Sequence, residues 1–184
     1  LRFGEEVMAL LAAEAEQQGV RIVAVWPTDE HGCSLRILRR GFGRRLFVGG
    51  AAQPRRTRAK GRAQLKGAPL IYIHAKVSIF DDQTAIVSSA NLNGRSLRWD
   101  TEAGVVLTDP ETVAGLRQRL MAHWLPEGAG ADFYDPDRAV QAWWALAARN
   151  ARLAPEKRRG FLLPYDLKSA EDFGRAVPLI PDEM

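Results

Sequence analysis

The stretch "LIYIHAKVSIFDDQTAIVSS", residues 70–89, alternates apolar and polar side chains on either side of an aspartate-bearing break. Successive side chains of a strand point to opposite faces, so this alternation is what a half-buried strand requires. The spacing predicts a hairpin with a first arm from Leu70 to Phe80, a turn over 81–84 and a return from Ala85 to Ser89. Ile71, Ile73, Val77 and Ile79 face a core, while Tyr72, His74, Lys76 and Ser78 share the other face. A lone hairpin is marginal in water, so it needs a sheet and helices to rest on, and its first arm is expected on a central strand.

The flanking sequence supplies both. An amphipathic helix is predicted over residues 2–18, ending at Gly19, and it feeds the apolar strand "VRIVAVWP". "SLRILRRGF" reads as a short helix, "RLFVGG" as a strand and "AAQPRRTRAKGRAQLKGAP" as an exposed loop. "TEAGVVLTD" is a further strand, and a helix follows from Pro110 to about Trp124, capped by Thr108 or Asp109. A last helix is predicted with Asp135 as cap, Pro136 in its first turn, and Val140, Trp143, Trp144 and Ala147 facing inward. Strands alternating with helices give an α/β class, a mixed β-sheet flanked by helices, with extra C-terminal helices. The chain divides into an α/β half-domain, 1–128, and a helical extension, 129–184.

At 184 residues and 46% hydrophobic, the chain can bury one core. Cys33 is the only cysteine, which leaves no internal disulfide and no thiolate cluster. No run approaches the ~20 apolar residues of a membrane-spanning helix and no signal-peptide pattern opens the chain, so the expected location is the cytoplasm or the periphery of a membrane. Leu1 already lies inside a helical pattern, and a preceding N-terminal part is expected. Residues 36–66 hold eleven Lys and Arg and no Asp or Glu, a segment suited to polyanions or anionic surfaces.

On the polar face of the hairpin, His74 and Lys76 stand about 7 Å apart along one strand, at ~3.3 Å per residue. An imidazole can act as nucleophile or general acid, whereas lysine and asparagine bind and neutralise. Ser89 and Asn91 on the return arm can donate hydrogen bonds to phosphoryl oxygens, and Asp81 falls in the turn. Glu102 is the nearest group to fix the tautomer of His74, with Asp100 next. No HxxEH, DxD or clustered His and Asp spacing points to a metal, and no cofactor is expected. His31 and His123 lack a lysine two residues on and are read as structural.

These residues resemble the phospholipase D superfamily signature, H-x-K, four residues, D, six residues, then G-S-x-N. His74, Lys76, Asp81, Ser89 and Asn91 fall on that spacing, with Ser88 where the family has glycine. "NLNGRSLRWDTE" is similar to the family's continuation, in which an acidic residue at the place of Glu102 bonds the catalytic histidine. The resemblance implies catalytic residues His74, Lys76, Asp81, Asn91 and Glu102, with phosphate held by Lys76, Ser89 and Asn91. It implies a phosphodiesterase that hydrolyses or transfers a phosphatidyl group through a phosphohistidine, without a metal. A cardiolipin synthase-like transferase and a dimeric endonuclease of the same superfamily are the alternatives. Family members build one site from two such motifs, so the second would come from a preceding N-terminal half or a homodimer partner, and His74 would be the general acid. Phospholipid at an anionic membrane surface is the expected partner, and nucleic acid is the second choice.

Overall fold

The segment "LFVGGA" is buried along its whole length, as a strand covered on both faces must be. In the computed structural model, which describes residues 22–25, 38–91, 96 and 99–165, it forms β2, Leu46–Ala51. β1, Ile22–Val25, pairs with it in parallel, and β8, Leu162–Pro164, pairs with its other edge in antiparallel. The order β1-β2-β8 is a mixed sheet. The first helix, Cys33 and His31 lie outside the described residues.

Helix α2, Ala139–Arg152, covers this sheet. Its stripe of Val140, Trp143, Leu146 and Ala147 packs with Phe47, Leu125 and Leu162. Trp143 and Trp144 tilt against the Phe47 ring at 5.6 and 5.3 Å between centroids. Each indole N–H is satisfied, Trp143 donating to Phe133 O at 2.9 Å and Trp144 to Leu46 O at 2.8 Å. Asn150 is 1% exposed, and its amide donates to Arg159 O and Leu162 O, locking β8 under the helix. The helix begins four residues after Asp135, whose carboxylate instead caps the preceding turn by accepting from the Asp137 and Arg138 N–H groups. After residue 128 the chain thus adds a strand as well as a helix to this layer.

A second, antiparallel sheet carries the hairpin: β5, Lys76–Phe80; β6, Thr84–Ser88; and β7, Gly104–Leu107, in the order β5-β6-β7. Among the described residues β5 therefore borders this sheet, where a central strand was expected, and it is shorter than the predicted arm, because residues 71–75 lie outside its ladder. Asp81 and Asp82 hold the turn with φ of +49° and +53°, and Gln83 N–H bonds Phe80 O at 2.9 Å. Two left-handed residues in succession match the twist of the strands, and aspartate tolerates that conformation better than most side chains. Helix α1, Pro110–Trp124, starts where expected, with Asp109 accepting from Thr112 N–H at 2.9 Å. Its Arg117 forks onto Asp82, with Nη2–Oδ2 at 2.8 Å, and reaches Tyr134 O at 3.1 Å, tying the hairpin turn to the helix.

The segment predicted to be an exposed loop is partly folded. β3, Gln64–Leu65, and β4, Ala68–Pro69, form a two-residue ladder around a Lys66–Gly67 turn, and Leu65 and Ala68 are buried.

Candidate active site

The register of the hairpin sets the site. Lys76 opposes Ser88, and Ser88 opposes Gly104, so these three form one row across the sheet. Ser88, in the place expected to hold glycine, is thus the return-arm residue facing Lys76; Ser89 continues beyond β6, and its N–H bonds Ala103 O at 2.9 Å. The row is tight: a Cβ on Gly104 would come within 2.6 Å of Ser88 Cβ and 3.0 Å of Val87 O. Only glycine fits there.

His74 and Lys76 come together as their spacing predicts. The ammonium of Lys76 lies 3.0 Å from His74 Nε2 and donates to His74 O at 2.9 Å. An ammonium has no lone pair, so with the imidazole neutral Nε2 is the acceptor. Tyr72 stacks on the imidazole at 6.1 Å, and His74 itself is exposed. A phosphoryl oxygen arriving here would replace the imidazole and carbonyl as acceptors for Lys76.

Glu102 departs from expectation. Its carboxylate accepts a hydrogen bond from the Ser89 hydroxyl, while Ser89 Oγ accepts from Ala103 N–H at 3.0 Å. The hydrogen bonds of Ser89 and then Ser96 hold the Glu102 carboxyl below its ordinary value, with Lys76 adding a smaller push in that direction against partial burial. The imidazole of His74 meets Lys76 and Tyr72, while the Glu102 carboxylate is engaged by Ser89 and Ser96. Ser96 went unnoticed in the sequence; a hydroxyl six residues before an acidic candidate was the available signal.

Asp81 is exposed in the turn at the far end of β5 from His74, and Asp82 makes the ion pair there. Asn91 is exposed just past β6. Trp99, 71% exposed, precedes Glu102 by three residues. Among the described residues no three His, Cys, Asp or Glu side chains gather as a metal-ligand set would.

Residues 3–124 match a family model described as "Cardiolipin synthase, PLD-like domain". The chain belongs to the phospholipase D superfamily. The α/β arrangement of mixed and antiparallel sheets with helices is that of the family's fold. The chain is similar to phospholipase D1 of Cricetulus griseus, 36% identical over 117 residues, covering 50% of this chain and 11% of that protein. Phospholipase D2 of Bos taurus is 49% identical over 114 residues, 49% of this chain and 12% of its own length. Phospholipase D zeta 1 of Arabidopsis thaliana is 47% identical over 45 residues, 23% of this chain and 4% of its own. The chain spans about a tenth of the length of the first two relatives.

Proposed function

We propose that this phospholipase D-like chain supplies one half of a phosphodiesterase site that hydrolyses or transfers a phosphatidyl group through a phosphohistidine intermediate. The observation that carries the reading is the approach of Lys76 Nζ to His74 Nε2 at 3.0 Å on an exposed edge, a cation and an imidazole poised for one anion. In this scheme the histidine of a second motif, from a longer chain or a second copy, attacks phosphorus, and the P–O bond to the head group breaks. His74 gives its proton to the departing alkoxide oxygen. It then takes a proton from water or an alcohol, whose oxygen displaces the phosphohistidine nitrogen. Lys76 turns from the imidazole to the phosphoryl oxygens and offsets their growing charge.

Asn91 is the second phosphate donor in this scheme. The Ser89 hydroxyl donates its hydrogen bond to Glu102, so its part in this scheme is to hold that carboxylate, not the phosphate. Asp81, at the turn, acts only through the hairpin. No described helix is long and apolar enough to cross a membrane, and substrate would be met at the lipid surface. The family description favours one second reading: with a phosphatidyl-bearing alcohol as acceptor, the same residues would make a cardiolipin synthase-like transferase.

The test is head-group release from phospholipid vesicles by the full protein, with and without added alcohol. Release in water supports the hydrolase, and alcohol-dependent product supports the transferase. His74→Ala should cripple alkoxide leaving groups far more than an aryl phosphodiester, since phenolate needs little proton donation. Intact vesicles alongside nicked plasmid would overturn the lipid reading in favour of an endonuclease.

A further inference from the structure

Residues 53–69 fold back on themselves as a ribbon. Gln53 N–H bonds Pro69 O at 2.9 Å and Thr57 N–H bonds Gly67 O at 3.1 Å, while β4 pairs with β3 on its other side, and residues 58–63 connect the two. The ribbon is held to the protein body. Leu65 and Ala68 pack with Ala52 and Leu163, Arg158 Nη2 donates to Lys66 O at 2.6 Å, and Arg56 pairs with Glu156 at 3.0 Å. On this frame Arg55, Arg58, Lys60 and Lys66 are exposed, and among the described residues none of the four meets a carboxylate.

We propose that this basic ribbon is the surface by which the protein docks on an anionic lipid bilayer. Clustered like charges on a fixed frame cost self-repulsion, and a sheet of anionic head groups removes it. A bilayer fits better than a nucleic acid because residues 53–69 contain no aromatic side chain on which a base could stack. The aromatic lies instead at the ribbon's base. Ile71 N–H bonds Ala51 O at 2.9 Å, and the next residue, Tyr72, is 63% exposed with its ring on His74. Tyrosine favours the head-group level of a bilayer, with its ring in the apolar margin and its hydroxyl in water. Docking by the ribbon would present the His74–Lys76 edge to the lipid phosphates.

The proposal rests on the phospholipid reading above, but its test needs no turnover: a protein that docks without cleaving would defeat that reading and keep this one. Sedimentation with phosphatidylglycerol–phosphatidylcholine vesicles should show binding that neutral phosphatidylcholine vesicles lack. The triple variant Arg55→Ala, Arg58→Ala, Lys60→Ala should bind roughly 100-fold more weakly, about fivefold per charge. Lysine at both arginine positions should retain most of the affinity, since the bilayer reads charge, and an unchanged melting temperature will show that the exposed substitutions leave the fold intact. The proposal is overturned if the triple variant binds within twofold of the parent, or if the parent ignores anionic vesicles or binds neutral ones equally well. It is also overturned if single- or double-stranded DNA is held more tightly than the vesicles and released by the same substitutions.

Discussion

The Ser89 hydroxyl donates a hydrogen bond to the Glu102 carboxylate and accepts one from Ala103 N–H, so one side chain bonds both the acid and the backbone of the segment entering β7. The negative charge on Glu102 is favoured first by this bond and that of Ser96, and to a smaller degree by the charge of Lys76.

Replacing Ser89 by alanine should therefore raise the Glu102 pKa toward its ordinary value. A carboxyl depressed in the folded state contributes stability that is complete above its unfolded pKa and is lost as pH falls through the folded one. Ser89→Ala should accordingly cost more stability near neutrality than in acid. A carboxyl-carbon NMR titration reads the shift directly, and an unmoved or lowered Glu102 would contradict the assignment.

The Arg117–Asp82 fork is partly buried and fastens the hairpin turn to α1. Arg117→Ala should lose about 2 kcal/mol in denaturant unfolding, the scale of charge-assisted hydrogen bonds left unmade. A double-mutant cycle with Asp82→Ala should give a coupling well above the few tenths of a kcal/mol of an exposed pair.

Gly104→Ala should destabilise by about 1–3 kcal/mol, because the new methyl would come closer to Ser88 Cβ than real contacts allow and would crowd Val87 O. The same change should loosen Ser89 from Glu102, observable as an upward drift of the Glu102 titration. Ala103→Gly is the comparison that adds no atom.

Lys76→Ala should slow turnover by about 100- to 1000-fold on alkyl and aryl phosphodiesters alike, since charge at phosphorus must be offset whichever group departs. Loss confined to one leaving group would place Lys76 elsewhere in the reaction.

Where sequence and structure agree, local chemistry is strong. α1 was legible because Asp109, Pro110 and the buried Val113 stand in cap, first-turn and stripe positions. His74 meets Lys76 because residues two apart in an extended chain share a side. The misses have non-local causes. β3 and β4 have two residues each and no alternation to detect, and β8 ends in Pro164, a residue that argues against a strand until a neighbour is known. The partner of Glu102 depends on how far Ser89 runs past the last rung of the β6–β7 ladder, which no spacing within either strand encodes.

The pairing of Ala51 with Leu162 spans about 110 residues of chain. During synthesis β2, apolar on both faces, must wait with one edge bare until α2 and β8 leave the ribosome. An uncovered apolar edge is a template for pairing with other chains. Truncation before Leu162 should thus be felt first as aggregation of nascent or newly made protein, even though the His74–Lys76 hairpin lies in a different sheet.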